Sequence, residues 1–184
     1  LGLASEPGQG GQLELSSGRF RTRLSLAPAE GYPELLVPEG EDKGAFPLRT
    51  RMPSGELVKA LTHVRYAASN EEYRAIFRGV QLEFSPQGFR AVASDGYRLA
   101  LYDLPLPQGF QAKAVVPARS VDEMVRVLKG ADGAEADLAL GEGVLALALE
   151  GGSGVRMALR LMEGEFPDYQ RVIPQEFALR VQVE

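Results

Sequence analysis

The chain has no cysteine and only one histidine, His63, among its 184 residues. Without cysteine there can be no disulfide, no thiolate nucleophile and no zinc–thiolate site. With one imidazole, a metal cluster or a nucleophile–base pair would have to be built from carboxylates alone. Long apolar runs are also missing. The longest, Val144 to Leu149, falls far short of the ~20 residues that span a bilayer. The opening residues Leu1 to Gln9 lack the basic start and apolar core of a secretion signal. The expected setting is soluble and cytoplasmic, with no cofactor.

What is present is an ordinary globular balance, 45% hydrophobic and 24% charged, in a chain long enough to bury one substantial core. Twenty basic residues face twenty-five acidic ones, a net charge of −5. That sum argues mildly against nucleic acid, since phosphate binding needs a basic surface, but the distribution of charge matters more.

The chain repeats itself. Leu13-Glu14-Leu15 opens an alternating run that leads to Tyr32-Pro33-Glu34-Leu35 and closes on Pro38. Leu147-Ala148-Leu149 opens another that leads to Phe166-Pro167-Asp168-Tyr169 and closes on Pro174. Leu13 and Leu147 stand 134 positions apart, and so do Pro33 and Pro167. After Pro174 the alternation of Phe177 to Val183 matches that of Phe46 to Met52. One full unit, roughly 44–174, is thus expected between the tail of an earlier copy and the first strand of a later one.

A shorter repeat lies inside that unit. Met52-Pro53-Ser54 leads into Leu57, Ala60, Leu61 and Val64, and Val116-Pro117-Ala118 into Val121, Met124, Val125 and Leu128; corresponding positions are 64 apart. Both sets have the i, i+3, i+4, i+7 spacing of an amphipathic helix, predicted over 54–67 and 118–130. Strands are predicted over Ile76–Phe84, Gly88–Ser94 and Tyr97–Asp103, with Asp95-Gly96 as a two-residue hairpin turn. Glu135–Leu140, Val144–Glu150 and Val155–Met162 form a second set, split by Gly141-Glu142-Gly143 and by the Gly151–Gly154 cluster. The expected class is α+β: strand, helix and three antiparallel strands, performed twice, with two helices packed on sheets.

The helix faces opposite the apolar stripes carry Lys59, Thr62, His63 and Arg65 on one helix, and Arg119, Arg126 and Lys129 on the other. Glu56, Asp122 and Glu123 are the acids there. Each helix nets +1, against −7 for the rest of the chain. These faces read either as ordinary solvated surfaces with local ion pairs or as a weakly basic lining that meets phosphates without reading bases. No catalytic constellation emerges. His63 lies on a polar helix face, turn chemistry accounts for Asp95 and Asp168, and Gly151–Gly154 is followed by neither a helix nor a lysine. The chain is expected not to be an enzyme.

Ser94-Asp95-Gly96-Tyr97-Arg98-Leu99, then Val116-Pro117-Ala118-Arg119, then Glu165 through Pro174, resemble in order and spacing the beta sliding clamp of bacterial replicative DNA polymerase III. The resemblance runs from about Leu13 to Glu184 and implies the DNA-clamp fold. It assigns 1–40 to the end of a first clamp domain, 44–174 to a complete second, and 175–184 to the first strand of a third. It implies a homodimeric head-to-tail ring whose helices line the hole around non-specifically bound duplex DNA, with this chain alone expected to be monomeric. The DNA-facing residues would be Lys59, His63, Arg65, Arg119, Arg126 and Lys129, with Arg74 carried over from a segment where some relatives have an aromatic pair and this chain has Ala75 and Ile76.

The resemblance also implies a hydrophobic cleft between second and third domains. There the polymerase alpha subunit, the clamp loader, repair polymerases and mismatch-repair proteins dock short peptide tails. Its second-domain wall carries over as Phe77, Ser94, Gly96, Tyr97, Arg98 and Leu99, with Pro167, Arg171 and Val172. The competing readings are a peptide-binding adaptor with no DNA role and a carboxylate hydrolase, the latter disfavoured because no paired acids fall on facing elements.

Overall fold

The computed structural model describes residues 2–5 (backbone only), 11–27, 30, 44–131, 133–149, 154–176, 178–179 and 181–182. Residues 32–38, Asp132, the stretch 150–153, Phe177 and Arg180 lie outside the described set. The repeat anchors around Pro33, and part of the strand expected over 177–183, lie there too. The chain divides into two units, Leu1–Leu35 and Leu36–Glu184. The first unit contains a three-stranded antiparallel sheet of β1 (Gly2–Ser5), β2 (Gln12–Ser17) and β3 (Phe20–Ser25), in that order.

In the second unit the order is β4 (Leu48–Pro53), α1 (Ser54–Arg65), β5 (Gly79–Ser85), β6 (Gly88–Ser94) and β7 (Leu99–Leu104), followed by β8 (Ala112–Pro117), α2 (Ala118–Lys129), β9 (Glu135–Gly141), β10 (Val144–Leu149) and β11 (Arg156–Arg160). The strand–helix–three-strand pattern occurs twice, as the spacing predicts. The pairing, however, crosses between the halves. One sheet runs β7-β6-β5-β8 and the other β11-β10-β9-β4, so each half's first strand completes the other half's sheet. Leu48 of β4 lies opposite Leu140 of β9, and Val80 of β5 opposite Val116 of β8. Periodicity says which face of a strand is buried, but it does not name the neighbouring strand.

All four residues of the α1 stripe are buried, as are Val121, Met124 and Leu128 of α2. They join Leu82, Phe84, Phe89, Leu138, Leu145 and Leu147 in one core. Each such large side chain contributes ~1.5–3 kcal/mol by leaving water, which is what anchors the helices to the sheets. The helices are also tied end to end. Ser54 donates from its backbone N–H to the Ala134 carbonyl (3.0 Å) and from Oγ to Ala131 (3.1 Å). Arg65 Nε donates to the Ala118 carbonyl (3.0 Å) at the opposite end. The start of each helix therefore meets the end of the other, and the pair runs antiparallel.

Two local expectations are corrected. The strand expected from Ile76 begins instead at Gly79, because Ala75–Arg78 winds into a 3-10 turn, with the Phe77 N–H donating to Arg74 (3.0 Å) and the Phe77 carbonyl accepting from Ser69 (2.8 Å). The two-residue hairpin at Asp95-Gly96 is a four-residue connection, Asp95–Arg98, between paired Ser94 and Leu99. Gly96 has the positive φ (+90°) that this connection needs. The strand expected over 177–183 lies partly outside the described residues, and those described within it form no strand.

Candidate functional site

Between α1 and β5 the chain spends residues 66–78; the equivalent link between α2 and β9 is only 130–134. The longer link brings Tyr66, Tyr73, Arg74 and Phe77 to the mouth of the β6–β7 connection. That connection is built on Asp95. One carboxylate oxygen accepts the backbone N–H groups of Tyr97 (2.9 Å) and Arg98 (3.0 Å), and the other pairs with the Arg98 guanidinium (2.9 Å). These two backbone bonds, first Arg98 and then Tyr97, hold the Asp95 carboxyl below its ordinary value. Ser94 Oγ closes the loop from the other side, donating to the Arg98 carbonyl (2.8 Å) and accepting from the Gly96 N–H (3.0 Å).

Arg74 lies under this loop. Its Nη1 donates to the Asp95 carbonyl (2.8 Å), and its guanidinium lies 5.4 Å from the Tyr97 ring centre and 5.7 Å from that of Tyr73. Gly96 fits here for two reasons: its φ is left-handed, and a β-carbon would stand 2.7 Å from Arg74 Nη1. Arg98 extends over Tyr66, 5.8 Å from the ring centre. Tyr97 itself is 87% exposed, a large aromatic offered to solvent.

Opposite the loop runs the segment after β11. Phe166 meets Phe77 edge to face, ring centres 6.2 Å apart. Pro167 and Asp168 follow, and then a 3-10 turn, Tyr169–Val172. Loop, link and segment together enclose a hollow of about 410 Å³. Eight of the nine residues expected in the peptide wall line it: Phe77, Ser94, Gly96, Tyr97, Arg98 and Leu99 from one side, Pro167 and Val172 from the other. The ninth, Arg171, does not. Its side chain is exposed and pairs with Asp168 (2.8 Å), itself a lining residue. Phe166, Asp168, Tyr169, Ile173 and Pro174 also line the hollow and escaped residue-level prediction. They belong to an irregular segment in which no periodicity marks an inward side. Val172 is 70% exposed, so apolar surface stands open at the rim.

The helix faces show how many of their cations are already engaged. Lys59 pairs with Glu56 (2.7 Å), Arg65 with Asp122 of the other helix (2.8 Å), and Arg126 with Glu123 (2.5 Å). Arg119 and Lys129 are exposed and have no acidic partner among the described residues. His63 is exposed, with Nδ1–H donating to the Lys59 carbonyl (2.7 Å) and its ring 5.3 Å from that of Tyr102. Arg74 belongs to the link under the β6–β7 connection rather than to either helix. Among the described residues no helix is long and apolar enough to cross a membrane, and no group of three or more acidic or histidine side chains is arranged to hold a metal.

A mixed α+β domain with strand-exchanged halves, two antiparallel helices and an apolar hollow on the outer sheet face is the architecture of a replication clamp domain. Residues 51–168 match the family model described as the DNA polymerase III beta subunit, central domain. The beta sliding clamp of Haemophilus influenzae is 32% identical over 162 residues, covering 88% of this chain and 42% of that protein. The beta sliding clamp of Caulobacter vibrioides is 30% identical over 173 residues, covering 91% and 44%. The solved structure of the DNA polymerase III subunit beta from Pseudomonas aeruginosa superposes with a TM-score of 0.80 at 26% identity, over 94% of this chain and 45% of that one. That of the Thermotoga maritima beta subunit superposes at 0.79 and 27%, over 95% and 44%. The chain belongs to the DNA polymerase III beta subunit family, the beta sliding clamps. It spans under half the length of the relatives it matches.

Proposed function

We propose that this chain is the portion of a sliding clamp that carries the wall of a peptide-docking cleft and part of the lining around duplex DNA. In the full ring, closed by two subunits, it holds the replicative polymerase alpha subunit, the clamp loader, repair polymerases and mismatch-repair proteins on DNA by their short hydrophobic tails. It works by attachment and does no bond chemistry. The observation that carries the reading is the hollow: residues 77, 94, 96–99, 166–169 and 172–174, far apart in sequence, converge on one open apolar depression. Phe77, Leu99 and Val172 supply apolar contact, Pro167 a rigid rim, and Arg98 an aliphatic stem ending in charge. The cations on the helices are few, as suits a ring that must slide.

A fluorescent peptide of the pattern Gln-x-x-hydrophobic-hydrophobic should bind this chain weakly, because a small burial leaves little surplus after the peptide is ordered. Leu99→Asp and Val172→Asp should each weaken it at least about tenfold, or ~1.4 kcal/mol. An affinity unchanged in both variants would overturn the assignment.

A further inference from the structure

The wall of the hollow formed by 166–174 is not held by a ladder. Met162 docks the start of the segment by donating its N–H to the Val115 carbonyl of β8 (2.8 Å). Beyond it, among the described residues, the segment's backbone bonds are local: Tyr169 to Pro167, Arg171 to Asp168 and Ile173 to Gln170. Its position on the sheet is therefore set by side chains, and two of them reach the sheet side. One is Phe166, against Phe77. The other is Tyr169, only 5% exposed in a stretch whose neighbours Gln170, Arg171 and Val172 are exposed.

The Tyr169 hydroxyl accepts from Arg90 Nη1 (3.2 Å) and donates to Glu83 Oε2 (3.1 Å). Both partners are fixed in turn. Arg90 of β6 makes a two-pronged ion pair with Asp103 of β7. Glu83 of β5 accepts from Gln81 (2.6 Å) and faces Lys113 of β8 at 3.7 Å. All four strands of the sheet thus contribute to one polar row, and Tyr169 is where the crossing segment plugs into it. Val92, on the same side of β6 as Arg90 and Ser94, is fully buried although that side faces outward, so the outer face is covered here.

We infer that Tyr169 is the positioning residue of the hollow: held between Arg90 and Glu83, it sets where Pro167 and Val172 stand, and peptide affinity depends on its hydroxyl although the side chain is too buried to be the main contact. This rests on the peptide-docking reading above. Tyr169→Phe keeps the ring and removes the anchor. Arg90 keeps Asp103, and Glu83 keeps Gln81 and Lys113, so no buried charge is orphaned and the melting temperature should barely move.

The test uses the 184-residue chain, a labelled Gln-x-x-hydrophobic-hydrophobic peptide and amide hydrogen exchange. Tyr169→Phe should bind the peptide about fivefold more weakly, the factor of roughly one net hydrogen bond, with faster exchange confined to 166–174. Glu83→Gln retains an oxygen for the hydroxyl and should keep near-normal affinity, whereas Glu83→Ala, which leaves the bond from Arg90, should lose part of what Tyr169→Phe loses. The two losses should not add in the double variant, since each removes the same anchor. Unchanged affinity and unchanged exchange in Tyr169→Phe overturn the inference, as do fully additive losses. If the unaltered chain binds no peptide, the docking reading fails on that measurement alone. Exchange then decides the present inference: faster in 166–174 supports it, unchanged overturns it.

Discussion

Adding one methyl group at Gly96 separates backbone strain from the packing of Arg74, because Gly143 supplies a control. Both glycines have positive φ, +90° and +68°. A β-carbon at Gly143 meets nothing within 4 Å, while one at Gly96 stands 2.7 Å from Arg74 Nη1. Gly143→Ala should therefore cost only the left-handed strain less the entropy removed from the unfolded chain, a net of about 1 kcal/mol. Gly96→Ala carries the same strain and also displaces Arg74. That breaks the hydrogen bond to the Asp95 carbonyl, worth ~1–2 kcal/mol as a charged donor, and the packing on Tyr97, worth ~0.5 kcal/mol at an exposed site. The expected total is about 2.5–3.5 kcal/mol. Urea unfolding followed by circular dichroism measures both, with the slope of the transition checked for constancy. In an Arg74→Ala background the obstruction is gone, and the two glycine substitutions should cost the same within ~0.5 kcal/mol. Equal costs in the unaltered background, or a difference that survives removal of Arg74, would refute the reasoning.

Two further outcomes are expected. Because Asp95 titrates below its ordinary value near 3.8, the order it gives the 95–98 loop is fully present above that pH and is lost as pH falls through the lower folded value; amide shifts of Tyr97 and Arg98 should move in that acid window, and Asp95→Asn should abolish the titration. Linear duplex DNA should bind at best in the high-micromolar range without sequence preference, with a salt slope reflecting ~2 phosphates, and Arg119→Glu with Lys129→Glu should remove it while leaving the peptide titration unchanged. Sub-micromolar, sequence-selective binding would contradict the clamp reading.

How much was legible in the sequence varied with the regularity of the element. The stripes Leu57-Ala60-Leu61-Val64 and Val121-Met124-Leu128 mark the core side of both helices, because a periodic apolar face has one way to be buried. Gly88–Ser94 is a strand with the expected bounds, set off by turns that a proline and an Asx residue make. Ile76 to Phe84 alternates just as well, yet its first three residues turn into a 3-10 coil, since the Phe77 ring is wanted against Phe166 and its carbonyl by Ser69. Phe166, Tyr169 and Ile173 escaped because their inward direction comes from a tertiary crossing. The i, i+3 pairing of Lys59 with Glu56 and of Arg126 with Glu123 is visible on a helical wheel, whereas Arg65 looks free there. In three dimensions Arg65 meets an acid on the other helix.

The exchange of β4 and β8 makes the two halves mutually incomplete. A nick at the exposed Gly109 would leave one fragment with a surplus strand, β4, and a three-stranded sheet open at β5, and the other with β8 and a sheet open at β9. Neither fragment could satisfy its sheet edge alone, and each carries the piece the other needs. Such fragments would behave as a complementing pair, unstructured apart and folded on mixing. The unbroken chain must bring residues as distant as Leu48 and Leu140 together before either sheet is whole. Its folding should accordingly be slow and all-or-none, governed by the closing of that long loop.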